Sequence, residues 1–175
     1  FDVDHLSNGQ TILVHAAAGG IGTMAVQFAR WKGARVIGTA SAGNRDFVLG
    51  LGANEVIDYT ATPFDEAVGD VDAVLDTMGG EVRDRSWKTL NEGGILVSLL
   101  GPPDEVKADD HGVRSAAVFV KPDSSQLAGI ARLIDEGHIK TVVSGVYPLE
   151  EASRAHELSE THHVRGKIVL KVSGQ

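Results

Sequence analysis

Apolar and polar positions follow two rhythms along this chain. Short apolar runs at Thr11–His15, Arg35–Ala40, Glu55–Ile57, Val71–Asp76, Ile95–Leu100 and Val113–Val120 read as strands, most of them bounded by Gly, Pro, Asn or Asp. Between them the spacing turns helical. Ile21, Met24, Ala25, Phe28 and Ala29 share one face of a predicted helix from about Gly20 to Trp31, which Lys32-Gly33 stops. Further helices are predicted near Arg45–Leu51, over one or two turns at Pro63–Val68, at Glu81–Leu90 (closed by Gly93-Gly94) and at Ser124–Glu136. The polar, acidic stretch Asp104–Gly112 reads as an exposed loop. This alternation predicts an α/β fold, a doubly wound parallel sheet wrapped by helices. Beyond residue 140 the strand at Val142–Tyr147, the helix at Leu149–Glu160 and the strand at Lys167–Val172 follow no further βαβ rhythm. The expected division is therefore 1–140 and 141–175.

Composition narrows the classes. A length of 175 residues suits one domain. The absence of cysteine excludes disulfides, iron–sulfur clusters and thiolate zinc sites within these residues. A net charge of −8 argues against a nucleic-acid partner, because phosphate backbones are held by clustered Lys and Arg. No apolar run reaches the ~20 residues of a membrane span, and no signal peptide opens the chain. The expectation is a cytoplasmic protein with no membrane partner. The opening Phe1-Asp2-Val3-Asp4 reads as the middle of a longer protein.

The most informative stretch is Ala16-Ala17-Ala18-Gly19-Gly20-Ile21-Gly22, directly after the first strand and opening the first long helix. A pyrophosphate sits on the free N–H groups of a helix N-terminus, where the helix dipole favours negative charge. A bulky side chain at Gly19 or Gly20 would hold the phosphates away, and Gly22 lets helix and strand pack closely. Ala17-x-Gly19-x-x-Gly22 is the dinucleotide fingerprint with Ala in place of its first Gly. In the usual NAD site a carboxylate at the end of the second strand binds the ribose hydroxyls. Here that strand ends Gly38-Thr39-Ala40-Ser41, with Arg45 just beyond. A hydroxyl and a guanidinium would bind a 2′-phosphate that a carboxylate would repel, which points to NADP(H). The alternative for Arg45 is a solvated helix residue.

Leu13 to Gly22 resembles the cofactor motif of the medium-chain dehydrogenase/reductase superfamily. It is similar in particular to the zinc-independent, NADPH:quinone oxidoreductase-like branch, with its Ala-x-x-Gly-x-x-Gly pattern. Leu51–Tyr59, Asp76–Gly80, Gly93–Val97, Tyr147–Ala152 and Arg165–Leu170 continue the resemblance in order over nearly the whole chain. The resemblance implies a Rossmann domain, with a C-terminal segment belonging to a GroES-like catalytic domain whose N-terminal half is absent here. It places Ala18, Gly19, Gly20 and Ile21 at the pyrophosphate, and Ser41, Arg45 and Tyr59 around the 2′-phosphate. Thr77 and Met78 would border the adenosine and its ribose. Leu99, Leu100 and Gly101 would lie near the nicotinamide, and Phe119 and Val120 would meet its carboxamide. The implied function is hydride transfer from NADPH to a quinone or an α,β-unsaturated carbonyl, the small-molecule substrate. A zinc-type alcohol dehydrogenase domain, the enoyl-reductase module of a synthase and a non-catalytic NADPH-binding protein are the alternatives. Val113–Val120 is the candidate edge for a homodimer, or a plain sheet edge.

No residue stands out as a catalytic acid, and none is assigned. His156, Glu160 and His163 would share one helical face if the helix ran that far, but the run His156-Glu157-Leu158-Ser159-Glu160 is not a zinc-protease motif. It reads as a solvated polar face, and no metal site is expected. His15, at the end of the first strand, reads as a buried packing or hydrogen-bonding residue.

Overall fold

The computed structural model describes residues 6–172, so the opening Phe1–Asp4 lies outside the described residues. Six parallel strands form one sheet in the order β3-β2-β1-β4-β5-β6. They are β1 (Thr11–Val14), β2 (Arg35–Ala40), β3 (Glu55–Asp58), β4 (Val71–Asp76), β5 (Leu90–Ser98) and β6 (Arg114–Ala117). Helices α1 (Gly22–Trp31), α2 (Arg45–Gly50), α3 (Phe64–Ala67), α4 (Gly80–Ser86), α5 (Glu105–Asp110) and α6 (Ser124–Asp135) connect or follow them.

Side chains alternate across a strand, so each strand feeds two cores. Ile12, Val14, Val36, Val56, Ala73, Ile95 and Val97 pack with Val26 and Ala29 of α1 and Val48 of α2 on one face. Their neighbours Leu13, Ile37, Ile57, Val74 and Leu96 pack with Phe64, Trp87 and Ala108 on the other. The predicted doubly wound, Rossmann-like sheet is the fold observed. Because β1 leads outward to β2 and β3 while β4 starts the other half, a crevice opens at the C-terminal ends of β1 and β4.

Several expectations need correction. The helix expected to reach Leu90 ends at Ser86, with one tighter turn at Trp87–Thr89. Leu90 already pairs with Val71, so Gly93-Gly94 lie inside β5, where the register shifts, and do not close a helix. The acidic stretch after Pro103 is not a bare loop. Asp104 caps α5 by accepting from the N–H groups of Val106 and Lys107, and Ala108 is buried beneath it. The predicted strand Val113–Val120 is also shorter, Arg114–Ala117.

The end of the chain does keep a βαβ rhythm. β7 (Val143–Pro148) and β8 (Lys167–Lys171) pair in parallel around α7 (Ala152–Glu160). This unit meets the glycine-rich turn through a parallel bridge between Gly19 and Gly166, with Gly166 N–H donating to the Ala18 carbonyl at 2.9 Å. Among the described residues no helix is long and apolar enough to cross a membrane.

Candidate functional site

The strand-to-helix turn after β1 is tightly built. Ala16 takes a positive φ of 48°, and its carbonyl accepts from the N–H of Gly19 at 2.9 Å. A Cβ on Gly22 would overlap that Ala16 carbonyl oxygen and stand 2.7 Å from Ala17 Cα. Only glycine lets α1 start so close to the strand. Ile21, the residue preceding α1, provides no side-chain cap. The N–H groups of Ile21 and Gly22 have no acceptor among the described residues. The helix end therefore presents donors and a positive dipole to the crevice.

Lys167 of β8 lies across this end. Its Nζ is 2.6 Å from the point a Gly20 Cβ would occupy. A cation parked at the positive end of a helix is unfavourable by itself and becomes favourable when an anion lies between them.

The crevice is a cavity of about 480 Å³. Ala18 and Gly19 line it on the side of the turn, and Ser41, Asn44 and Tyr59 line it beyond β2 and β3. Pro63, Phe64, Met78, Val82 and Arg85 enclose an apolar recess, and His162, His163 and Val164 form the remaining wall. A second hollow of about 80 Å³, at Leu6, Asp72 and Arg114, sits at the opposite end of the strands. It is too small for a nucleotide.

Of the residues expected at a cofactor, Ala18, Gly19, Ser41, Tyr59 and Met78 meet around the cavity, while Gly20 and Ile21 stand at the turn that forms its lip. Thr77 ties the two halves of the crevice together by donating from Oγ1 to the His15 carbonyl at 3.0 Å. Arg45 is outside the cavity lining; its exposed guanidinium is 4.0 Å from Asp46. Leu99, Leu100 and Gly101 follow β5 on the far side, and Phe119 and Val120 project into solvent beyond β6.

His15 is buried at the floor, as expected. Ser86 Oγ donates to the Val82 carbonyl at 2.7 Å, so the 2.9 Å contact to His15 has Nε2–H donating to Ser86. Thr39 Oγ1 accepts from Ala16 N–H and faces His15 Nδ1 at 3.2 Å, where its own proton can go. Burial lowers the imidazole from 6.5 to about 4, against the opposing pull of Asp76, so it is neutral at pH 7.

Asp76, at the end of β4, organises the loops that follow β4 and β5. Its carboxylate accepts from Met78 N–H at 3.0 Å, from Gly79 N–H at 2.7 Å and from Arg83 Nε at 2.6 Å. Arg83 continues to Ser98 Oγ at 2.9 Å, whose hydroxyl oxygen accepts from Leu100 N–H at 3.1 Å. Burial by itself would raise this carboxyl. The Gly79 N–H, the Arg83 guanidinium, the Met78 N–H and Ser98 outweigh it and hold it below the usual carboxylate value. Arg85 is paired with Asp65 and stacks over Phe64.

Sequence reasoning missed the residues that arrive from afar, Arg165 and Lys167 above all. Arg165 Nε donates to Asn44 Oδ1 and its Nη2 to the Gly43 carbonyl, each at 2.7 Å. The run Arg165-Gly166-Lys167 was the available signal, but nothing in the local pattern says that it reaches the end of β2. The polar face at His156, Glu160 and His163 is broken, because α7 stops at Glu160 and His162 takes a positive φ of 58°. Among the described residues no three His, Cys, Asp or Glu come together as a metal site.

The profile of the family described as zinc-binding dehydrogenase matches residues 51–170. The chain belongs to that family. Among curated relatives, the probable mitochondrial zinc-binding oxidoreductase of Arthroderma benhamiae is 34% identical, over 97% of this chain and 54% of its own length. The structure of the quinone oxidoreductase from Coxiella burnetii superposes with a TM-score of 0.92 at 36% identity, covering 98% of this chain and 56% of that one. The Escherichia coli quinone oxidoreductase complexed with NADPH gives 0.83 at 27% identity, covering 96% of this chain and 59% of that one. The chain thus spans about half the length of these family members.

Proposed function

We propose that this chain is the NADPH-binding domain of a zinc-independent oxidoreductase that passes hydride to a quinone or an α,β-unsaturated carbonyl. The observation that carries the reading is the anion-ready end of α1 opening onto a nucleotide-sized crevice, with Ser41 rather than a carboxylate after β2. Asp58, which pairs with Ala40 in the register, is engaged by the N–H and hydroxyl of Thr60. The relatives named above as quinone oxidoreductases, one of them complexed with NADPH, support the same chemistry.

In this reading the free N–H groups of Ile21 and Gly22 hold the pyrophosphate, Gly19 and Gly20 let it approach the turn closely, and Lys167 neutralises it. Tyr59, Pro63, Phe64, Met78 and Val82 exclude water around the adenine, and Ser41 binds the 2′-phosphate. The bound nicotinamide supplies the hydride; the protein supplies orientation and a dry surface. Leu99, Leu100 and Gly101 flank the nicotinamide, fixed through Ser98 and Arg83, with Phe119 and Val120 further along. Residues 1–140 form the cofactor domain, and residues 141–175 are shared with a catalytic domain. A homodimer across β6 belongs to the reading, supported by exposed Phe119 and Val120, which follow that edge strand in the chain.

Calorimetric titration with NADPH and NADH tests this reading. NADPH is expected to bind more tightly; equal affinities overturn the phosphate assignment, and binding of neither overturns the cofactor. Little turnover of 1,4-benzoquinone is expected from this chain alone, and robust turnover would move the substrate site into it.

A further inference from the structure

The end of β2 lacks a cation of its own. Arg45 is exposed and its guanidinium is 4.0 Å from Asp46; neither Arg45 nor Arg165 is itself part of the cavity lining. The guanidinium that reaches this end comes instead from residue 165, 121 positions from Asn44 in the chain. Arg165 is held there at three points. Nε donates to Asn44 Oδ1, Nη2 donates to the Gly43 carbonyl, and the guanidinium lies 5.0 Å from the Phe47 ring centre. Two of the donors of a planar fork are thereby used, and the Nη1 pair has no acceptor among the described residues.

The same contacts set the polarity of Ser41. Asn44 presents its amide oxygen to Arg165, so its Nδ2 faces Ser41 Oγ, to which it donates at 3.1 Å. Ser41 accepts from Asn44, which leaves its own hydroxyl proton available to donate. Asn44, Ser41 and Tyr59 line the same cavity, and Val164, the residue before Arg165, lines its facing wall. A phosphate monoester at Ser41 would therefore meet an O–H donor and an unspent guanidinium edge, the arrangement that binds a dianion most strongly.

Resting on the NADPH reading, we propose that Arg165, delivered by the C-terminal βαβ unit and aligned by Asn44, is the residue that selects a 2′-phosphorylated cofactor over an unphosphorylated one. Arg45 is not that residue. Cofactor choice is then decided by a segment outside the β1–β6 sheet, docked onto it through Gly166 and Gly19.

The test uses the full chain carrying Arg165→Met, Arg45→Met or Asn44→Asp, titrated with NADPH, NADH, 2′,5′-ADP and 5′-AMP. Arg165→Met is expected to weaken NADPH and 2′,5′-ADP about tenfold or more, with NADH and 5′-AMP changed less than about twofold. Arg45→Met should leave all four within about twofold. Asn44→Asp keeps a partner for Arg165, and so the docking, but sets a carboxylate beside the phosphate. It should reproduce the selective loss in a protein that melts like the parent. Equal loss of all four ligands in Arg165→Met would make Arg165 a structural clasp and overturn the proposal. So would a selective loss in Arg45→Met with none in Arg165→Met. A parent chain that binds NADPH and NADH equally would instead overturn the underlying reading.

Discussion

Lowering the pH from 7 to 5 protonates an imidazole in water but not one buried as His15 is. In the unfolded chain this histidine titrates near 6.5; in the folded chain burial takes it to about 4. Its folded value is depressed, so its contribution to stability is fully present above the unfolded value and is lost as pH falls toward the folded one. At pH 5 the unfolded chain holds nearly one more proton at this position than the folded chain. Linkage then removes about 2 kcal/mol between pH 7 and pH 5, out of roughly 3 kcal/mol once both states are protonated. The carboxylates act lower. Asp65 and Asp76 are held below the usual carboxylate value, so what they contribute is present above that value and is lost only in stronger acid. Urea unfolding at pH 7 and pH 5, followed by the fluorescence of buried Trp87, measures the loss. His15→Gln keeps a donor for Ser86 without a titrating ring, and its stability should be nearly level over the same interval. A parent chain that loses less than about 0.5 kcal/mol, or a variant that loses as much as the parent, would refute the argument.

The remaining expectations concern the turn and its neighbours. Gly22→Ala drives a Cβ into the Ala16 carbonyl and should cost about 3 kcal/mol by thermal melting, because backbone must move. Gly20→Ala meets only the flexible end of Lys167, so it should melt like the parent while binding NADPH and NADH more weakly. Lys167→Met should weaken both cofactors by one common factor of about fivefold, leaving their ratio unchanged in titration. Arg83→Met leaves the fully buried Asp76 without its cation and should lower stability by about 3 kcal/mol in urea. An unchanged midpoint would mean that the Met78 and Gly79 N–H groups suffice.

The sheet and the turn were legible because local rules dictate them. Ile12 and Val14 face one core and Leu13 the other by the two-residue period of a strand, and Gly22 is required by a backbone contact with Ala16, only six residues earlier. The errors arose where a local signal had two meanings. Gly93-Gly94 looks like a helix stop, yet pairing of Leu90 with Val71 carries the strand through it. Asp104 looks like solvated acid, yet its carboxylate caps α5. The site was half legible: Ser41 and Tyr59 follow strands whose ends can be counted, whereas no count along the chain brings residue 165 to residue 44.

That last placement has an electrostatic reason. Arg85, which lines the crevice, and Arg83 are paired with Asp65 and Asp76. Those pairs hold the loops and the floor in place, and neither arginine can turn to a phosphate without abandoning a carboxylate that is nearly or fully buried. The unspent donors that the first unit turns to the cavity are then neutral, the N–H groups of α1 and the Ser41 hydroxyl. Charge must come from an element whose cations have no carboxylate to satisfy. Arg165 engages Asn44, the Gly43 carbonyl and the Phe47 ring, none of them anionic, and Lys167 crosses the end of a helix. On the proposed reading, the second unit completes the site by supplying what the internal ion pairs of the first have already committed.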